Sequence, residues 1–466
     1  MKRPNTAAPA VTTSGRAWYA VGVLLLAYIF SIMDRQILTL LVGPIQQTLG
    51  ANDTSMGLLH GFTFAAFYAV MGLPIARMID RGHRPVIIAV GIAVWSVATA
   101  ASGLATDFVH LVAARTCVAV GEAVLIPGAV SLLADLFSPD KRGRAMGVFG
   151  TGAPVGAGVG LLAGGLLLGL FTMSPAVLPF LGELLPWQAT FVAVGLPGVV
   201  IAVLMLFVPE PRRKGVARTS PIEGLPVSVI VGFLRSHRKT FTAIMLGAGF
   251  LYLAIYGWLA WTPTYFVREL GWTYAQVGKL LGIILTVAGP LGALGGSWIA
   301  DFWRRKGVAH ASLRVGVVSC VGMAVASTGM VFGGSPVVAV ISLTLGAMFS
   351  FTLIGVGAMS LQETAPAPML GQVAALFAGV LNIIGAGLGP VAVGVITDYV
   401  LRDPSAIGTA IFVTCVSASV IGLLVFRSGF ATYAATRADA TGWRVSAPTP
   451  AIPTVTADRT SVAAAH

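Results

Sequence analysis

The sequence is dominated by apolar runs of roughly twenty residues, the length that an α-helix needs to cross the hydrocarbon core of a bilayer. Twelve such runs follow one another, separated by charged or turn residues. We place them at 17–40, 56–78, 85–104, 108–136, 143–170, 188–208, 240–266, 274–302, 311–333, 336–362, 370–399 and 405–427. The pattern predicts an all-α membrane protein with twelve transmembrane helices.

The composition excludes several other classes of protein. Only 10% of the 466 residues are charged, whereas soluble domains carry about 25%, so a soluble enzyme or a disordered scaffold is excluded. The net charge of +12 comes without a basic stripe interleaved with aromatic residues, which argues against nucleic acid as a partner. Sequence motifs of zinc proteases, serine hydrolases and phosphate-binding loops do not occur. We therefore expect no catalytic residues, no metal and no cofactor.

The basic residues predict the orientation in the membrane. If both termini are cytoplasmic, 24 of the 29 lysines and arginines fall in inside segments. The outside loops then hold only Arg268 and Arg402. Because basic residues collect in cytoplasmic loops, we expect an integral protein of the inner (plasma) membrane with both termini inside.

The runs divide into two sets of six. We expect a cytoplasmic tail (1–16), a first bundle (17–208), a cytoplasmic linker (209–239), a second bundle (240–427) and a disordered cytoplasmic tail (428–466). The second run ends with Asp80 followed by arginines, and the eighth ends in the same way with Asp301. Runs six apart that match in this way indicate two parallel repeats. In transporters the binding site lies between such repeats.

Several short motifs resemble those of the major facilitator superfamily, and within it the Spinster-like branch. They are Asp80-Arg81-Gly82-x-Arg84, Met33-Asp34-Arg35, Arg115–Ala123 and Ala134–Pro139. The resemblance implies two six-helix bundles, with helices 1, 4, 7 and 10 around a central cavity that opens alternately to each side. It also implies coupling to a proton gradient and lysolipid or sphingoid cargo. The organic-anion symporter branch shares the Asp-Arg pattern, so a symporter of small organic anions is the alternative.

Four charges lie inside the predicted spans of the first half: Asp34 and Arg35 in the first, Arg115 and Glu122 in the fourth. A charge at mid-helix costs roughly 2.5–3.5 kcal/mol on insertion scales, so each needs a partner, water or a function. Together they carry no net charge, which suits a proton-coupling and substrate site. We favour Asp34 as the proton acceptor, with Glu122 and Arg115 contacting the substrate. A purely structural ion-pair network is the alternative.

The second half offers aromatic residues instead of charges. The seventh run carries Tyr252, Tyr256 and Trp258, and we assign these to the cavity wall together with His60 and Asn382. A cavity with one ionic wall and one aromatic wall suits an amphipathic solute. The alternative is that these side chains pack between helices or face lipid.

Charges at the cytoplasmic helix ends predict a gate. The residues are Asp80, Arg81, Arg84, Asp135, Arg142, Arg144 and Asp301. The resemblance implies that they close the cytoplasmic side in one state only, which makes them a two-state element. In the fifth run, Gly152, Gly156, Gly160 and Gly164 recur every fourth residue, a spacing that allows close helix contact.

The function that these patterns predict is proton-coupled secondary transport by alternating access, for a lipid-like or amphipathic solute. Small-anion symport is the alternative within transport, and a non-transporting membrane receptor is the alternative outside it. The expected partners are the bilayer and a small solute. Twelve spans in one chain can form a complete carrier, so a monomer suffices.

Overall fold

The computed structural model describes residues 14–178, 182–211 and 226–443, and nearly all of them are helical. The twelve spanning helices are α1 (Gly15–Leu49), α2 (Asp53–Arg81), α3 (Arg84–Ser102), α4 (Phe108–Leu136), α5 (Asp140–Met173), α6 (Pro186–Leu206), α7 (Arg238–Arg268), α8 (Tyr274–Arg305), α9 (Ala311–Phe332), α10 (Pro336–Phe351 and Leu353–Thr364), α11 (Ala367–Leu401) and α12 (Pro404–Ser428). Eleven are long and apolar enough to cross a bilayer as single helices, while α10 is interrupted at Thr352. The predicted fold class is confirmed.

Three smaller elements complete the described chain. A hairpin of β1 (Ala176–Leu178) and β2 (Gly182–Leu184) pairs antiparallel between α5 and α6. A helix at Val227–Ser236, here called the connecting helix, precedes α7. A helix at Phe430–Gly442, here called the terminal helix, follows α12.

The terminal helix differs from the expectation that 428–466 is disordered. Its Tyr433 is buried, and the phenol donates to Glu363 Oε2 at 2.9 Å. Thr436 exchanges a hydroxyl hydrogen bond of 2.8 Å with Thr240 of α7. These contacts with α7 and α10 order a segment whose composition alone suggested disorder. The remainder of that tail (444–466), and most of the N-terminal one, lie outside the described residues.

Two further boundaries differ from the sequence prediction. α1 continues past residue 40 through Pro44 to Leu49, and Val42 and Ile45 are buried along this extension. Burial of that face outweighs the single backbone hydrogen bond that a proline removes. The predicted linker 209–239 contains the connecting helix, and its stretch 212–225 lies outside the described residues.

The glycines of α5 press this helix against two neighbours. On one face, a Cβ added to Gly156 would lie 2.7 Å from the Ile29 carbonyl oxygen of α1. On another face, a Cβ at Gly165 would lie 3.0 Å from the Cα of Gly278 in α8. The first contact lies within one six-helix half, as the four-residue spacing predicted. The second joins the two halves.

The α2–α11 pair also joins the halves, and both helices widen there into π-type turns. The turns span Leu58–Thr63 in α2 and Leu381–Gly387 in α11. A Cβ at Gly57 would lie 2.6 Å from the Pro390 carbonyl oxygen, so the backbones approach closely. Such turns are common at functional sites, and these contain His60 and Asn382.

Candidate functional site

The four intramembrane charges pair across α1 and α4. Arg115 Nη1 donates to both carboxylate oxygens of Asp34, at 3.0 and 2.9 Å. Arg35 Nε donates to Glu122 Oε2 at 2.7 Å, and its Nη2 lies 2.5 Å from the same oxygen. Each helix therefore supplies one acid and one base, and the crossed pairs balance four charges in a medium of low dielectric constant.

The two arginines face a cavity, and the carboxylates lie behind them. Arg35 and Arg115 line a cavity of about 120 Å³ between the two halves. The side chain of Arg35 is 35% exposed, whereas that of Glu122 is fully buried. Arg35 also lies over the Phe64 ring, with 4.0 Å between the guanidinium carbon and the ring centroid. An anion in the cavity would meet guanidinium groups whose charge the buried acids offset.

Three buried polar atoms around this cavity have no hydrogen-bond partner among the described residues. They are Gln36 Oε1, His60 Nε2 and Glu122 Oε1. Unsatisfied buried polar atoms are costly, and each one calls for an explanation such as a ligand, a proton or water. Gln36 and His60 also line the cavity. Sequence reasoning missed Gln36, although it follows the Asp34-Arg35 pair directly.

The second half supplies an apolar wall with a polar edge. Tyr256 and Asn382 line the cavity, whereas none of the α10 residues whose side chains the structure describes does so. Trp258, also predicted for the cavity wall, is not among the described residues that line this cavity. It is fully buried, and its ring packs against Gly346 of α10. A residue two positions from Tyr256 on a helix points to a different face.

Tyr252 lies on a second chamber, which we call the apolar chamber. Its volume is about 530 Å³, and α7, α10 and α11 form it. Its lining is mostly apolar and consists of Tyr252, Gly357, Leu361, Gln362, Ala367, Leu370, Gly371, Ala374, Phe377 and Leu381. The Tyr252 and Tyr256 rings are 5.9 Å apart, so the apolar chamber adjoins the charged cavity through this tyrosine pair.

One end of the molecule is closed by contacts between the two halves. Arg268, at the end of α7, donates to both oxygens of Asp53 in α2, at 2.8 and 2.9 Å. Asp398 of α11 accepts from the backbone N–H and the hydroxyl of Thr54, at 2.7 and 2.6 Å. We call this cluster the latch, and this end the latched end. Sequence reasoning missed it, although a lone arginine in a loop otherwise poor in basic residues was a usable signal.

Just beyond α7 at the latched end, Glu269 accepts a 2.6 Å hydrogen bond from the Gly408 backbone N–H. Burial raises the pKa of Glu269 above its ordinary value, and the nearby Asp403 carboxylate raises it further, while the Gly408 N–H and Arg268 oppose the shift. This acid therefore holds a proton more readily than a free glutamate does.

At the opposite end, which carries most basic residues and which we call the basic end, the predicted gate residues pair within their own half. Arg84 bonds Asp135 at 2.6 Å and Glu210 at 2.6 Å. Arg142 donates to the Ala134 carbonyl at 2.7 Å, and Asp301 pairs with Arg304 at 3.0 Å.

The other gate residues are exposed: Asp80, Arg81 and Arg144. The guanidinium carbon of Arg144 lies 5.7 Å from the centre of the Trp18 ring. The structure thus separates the first-half gate residues from Asp301, and their role in closing this end stays a prediction. Glu210 and Glu363, which also take part in ion pairs there, were not anticipated.

Twelve spanning helices in two halves, a charged cavity between the halves and a latch at one end define a membrane transporter. A family model for the Major Facilitator Superfamily matches residues 24–390. The chain belongs to the Major Facilitator Superfamily, whose members carry solutes rather than catalyse reactions.

Curated relatives agree with this membership. An MFS-type efflux pump of Mycolicibacterium smegmatis is 31% identical over 61% of this chain and 63% of its own length. A hexuronate transporter of Bacillus subtilis is 27% identical over 80% of this chain and 86% of its own. Protein spinster homolog 1 of Homo sapiens is 31% identical over 55% of this chain, but the match spans only 47% of the human protein.

Among solved structures, a bacterial homologue of the human lysosomal transporter Spinster superposes with a TM-score of 0.70. It is 23% identical, and the match covers 92% of this chain and 98% of the homologue. That structure is described as inward-facing and occupied. The resemblance to the Spinster-like branch that the first-half motifs indicated is confirmed.

Proposed function

We propose that this protein is a proton-coupled secondary transporter of an amphipathic solute, working by alternating access. The observation that carries the proposal is the pair of crossed ion bridges, Asp34–Arg115 and Arg35–Glu122, whose arginines face the cavity while their acids are buried. Protonation of either acid changes the charge that the cavity presents. A proton and a solute can therefore each alter the binding of the other at one site.

The two acids have different roles in this proposal. Both oxygens of Asp34 accept from Arg115, so protonating Asp34 weakens that pair and frees the guanidinium toward the cavity. Glu122 binds Arg35 through Oε2 alone, and its Oε1 has no partner in the described chain. A proton on Oε1 leaves the hydrogen bond to Arg35 in place. Asp34 is therefore the acid whose protonation switches the site, and Glu122 positions Arg35.

The apolar chamber supports an amphipathic cargo. A polar head can occupy the charged cavity while an apolar body lies along Leu361, Leu370 and Phe377 in the apolar chamber. Similarity to Spinster proteins favours lysolipid or sphingoid cargo. Because cytoplasmic loops collect basic residues, we place the basic end in the cytoplasm, and the latched conformation is then inward-facing.

A symporter of small organic anions is the second candidate. The cavity volume of about 120 Å³ suits a small solute better than a whole lipid, and two guanidinium groups can hold a carboxylate bidentately. The hexuronate transporter relative belongs to this chemistry. In this version the apolar chamber is an access path and not part of the binding site.

The test is solute-induced proton flux in proteoliposomes that contain a pH-sensitive dye. The panel is a lysophospholipid, a sphingoid base and a hexuronate, with Asp34→Asn beside wild type and Glu183→Gln as an exposed control. Flux with the amphipathic compounds that Asp34→Asn abolishes supports the proposal. Flux with hexuronate alone moves the protein to the second candidate. Solute uptake without proton flux contradicts proton coupling.

A further inference from the structure

A groove on the outer surface of the second half carries two arginines beside an apolar lining. It lies between the connecting helix, α7 and α11, and its volume is about 280 Å³. Arg235 closes the connecting helix and Arg238 opens α7. Both are exposed, and both line the groove. The groove is separate from the charged cavity and from the apolar chamber.

Neither guanidinium is neutralised within the part of the chain that the structure describes. His237, which lies between them, pairs with Asp439 of the terminal helix at 3.0 Å, but Arg235 and Arg238 have no acid within ion-pair distance there. Two unpaired guanidinium groups that border one groove form a strong anion-binding pair, and they match the geometry of a phosphate in particular.

The rest of the groove is apolar and faces outward from the helix bundle. Leu246 of α7 and Leu376 of α11 are both exposed in it, and Val231 and Val380 extend the lining. An exposed apolar strip that runs from a basic helix end toward mid-membrane matches an acyl chain. A soluble anion would use the arginines and leave this strip empty.

We propose that this groove binds an anionic phospholipid of the leaflet at the basic end. Its phosphodiester contacts Arg235 and Arg238, and one acyl chain lies along Leu246, Leu376 and Val380. Charge complementarity and the joined apolar strip select a lipid over a free phosphate. The connecting helix then rests on the membrane surface, where anionic headgroups attract juxtamembrane arginines.

Native mass spectrometry of the purified full chain tests the proposal, with phosphatidylglycerol and phosphatidylcholine of identical acyl chains as probes. Wild type should retain phosphatidylglycerol preferentially. The preference should fall about fivefold for each arginine removed in Arg235→Gln and Arg238→Gln. Lys239→Gln removes the same charge from a neighbouring exposed residue outside the groove, and it should leave the preference unchanged.

A second variant separates the two parts of the site. Leu376→Trp keeps both arginines and fills the apolar strip, so it should lower retention of phosphatidylglycerol at least several-fold, and glycerol phosphate should not compete with the lipid. Equal retention of the two lipids by wild type overturns the proposal. Unchanged retention in the double arginine variant also overturns it, as does effective competition by glycerol phosphate.

Discussion

The guanidinium of Arg268 donates a hydrogen bond to each carboxylate oxygen of Asp53, and this ion pair connects the two halves of the transporter. The Asp53 side chain is only 2% exposed to solvent, and that of Arg268 is 21% exposed. Gln46 of α1 adds a contact to each partner. Because the bridge joins the two halves at the latched end, opening that end requires the bridge to break, and the bridge therefore stabilises the conformation that is shut there.

Breaking this bridge should favour opening at the latched end. Truncating one member of a buried, hydrogen-bonded charge pair costs roughly 2–5 kcal/mol, so Arg268→Gln should raise the open population at least tenfold. The measurement is labelling of Thr39→Cys, a cavity residue, by an impermeant maleimide added on the latched side, in a Cys117→Ser background. Asp398→Asn should act in the same direction more weakly. Labelling no faster than in the parent would show that the latch does not hold this end.

The two intramembrane acids should respond differently to neutralisation. Asp34→Asn should abolish proton-driven accumulation yet retain solute counterflow, because the exchange step needs no net proton movement. Glu122→Gln should retain coupling and raise the apparent KM several-fold, since Arg35 keeps a hydrogen-bond acceptor but loses the negative charge that strengthens the bond. Uptake of labelled solute with and without an imposed pH gradient separates the two outcomes. Full accumulation by Asp34→Asn would contradict its role as proton acceptor.

Two glycine substitutions should distinguish contacts within one half from contacts between halves. Gly160→Val places methyl groups against α1, where even a Cβ would lie 2.7 Å from the Met33 Cα. It should lower the melting temperature by several degrees, because overpacking costs about 1–3 kcal/mol. Gly278→Val meets the Leu161 carbonyl oxygen, with its Cβ at 2.5 Å.

The expected result for Gly278→Val is a change in conformation and not in folding. Each half can keep its own packing while α5 and α8 separate, so the melting temperature should change little and labelling from the latched side should rise. Circular dichroism melts and the maleimide assay on the same preparations provide the comparison. If Gly278→Val melts earlier than Gly160→Val, the halves depend on each other for stability.

Arg84 should contribute mainly to the stability of the first half. Its side chain is 2% exposed and bonds Asp135, Glu210 and the Ser131 carbonyl. Arg84→Gln leaves two carboxylates without their shared cation, which should cost roughly 3–5 kcal/mol. Arg81→Gln, an exposed neighbour, is the control and should change stability little. Chemical unfolding in detergent measures both. Equal losses of unfolding free energy in the two variants would show that the buried ion pairs of Arg84 do not stabilise the protein.

The raised pKa of Glu269 predicts a pH-dependent contribution to stability. For an acid whose folded pKa lies above its ordinary value of 4.5, the folded protein binds more protons than the unfolded chain in that window, so stability falls as pH rises through it. Glu269→Gln keeps the acceptor for Gly408 and removes the titration. The difference in melting temperature between variant and wild type should therefore grow as the pH rises above 4.5. A difference in melting temperature that stays constant with pH would contradict the raised pKa of Glu269.

Much of the fold could be read from the sequence because the bilayer requires long apolar runs, and these stand out in any composition. The helix boundaries agree to within a few residues except at α1, which continues past its predicted end at residue 40, through Pro44 to Leu49. The terminal helix was missed because its order comes from Tyr433 and Thr436, whose partners lie on distant helices.

The candidate site also contains residues that could be predicted from the sequence and residues that could not. The four charges of the site could be predicted because they stand out in otherwise apolar helices, and the structure brings all four together. The placement of the aromatics could not be read, because which face of α7 meets the cavity depends on helix rotation. Trp258 consequently proved to be a packing residue. The latch was missed because its members come from the ends of three helices that are far apart in the sequence, and only Arg268 stood out there.

Among the described residues, the apolar chamber is lined by α7, α10 and α11, whereas the buried charges near the cavity belong to α1 and α4. In the proposed function, the proton-coupling acids and the surface for the apolar body of the solute are therefore encoded by separate parts of the gene. Substitutions in the second half of a duplicated gene would then change the solute, while the proton-coupling residues of the first half stay unchanged. For protein engineering, this division means that the first half can be kept constant while the lining of the apolar chamber is varied.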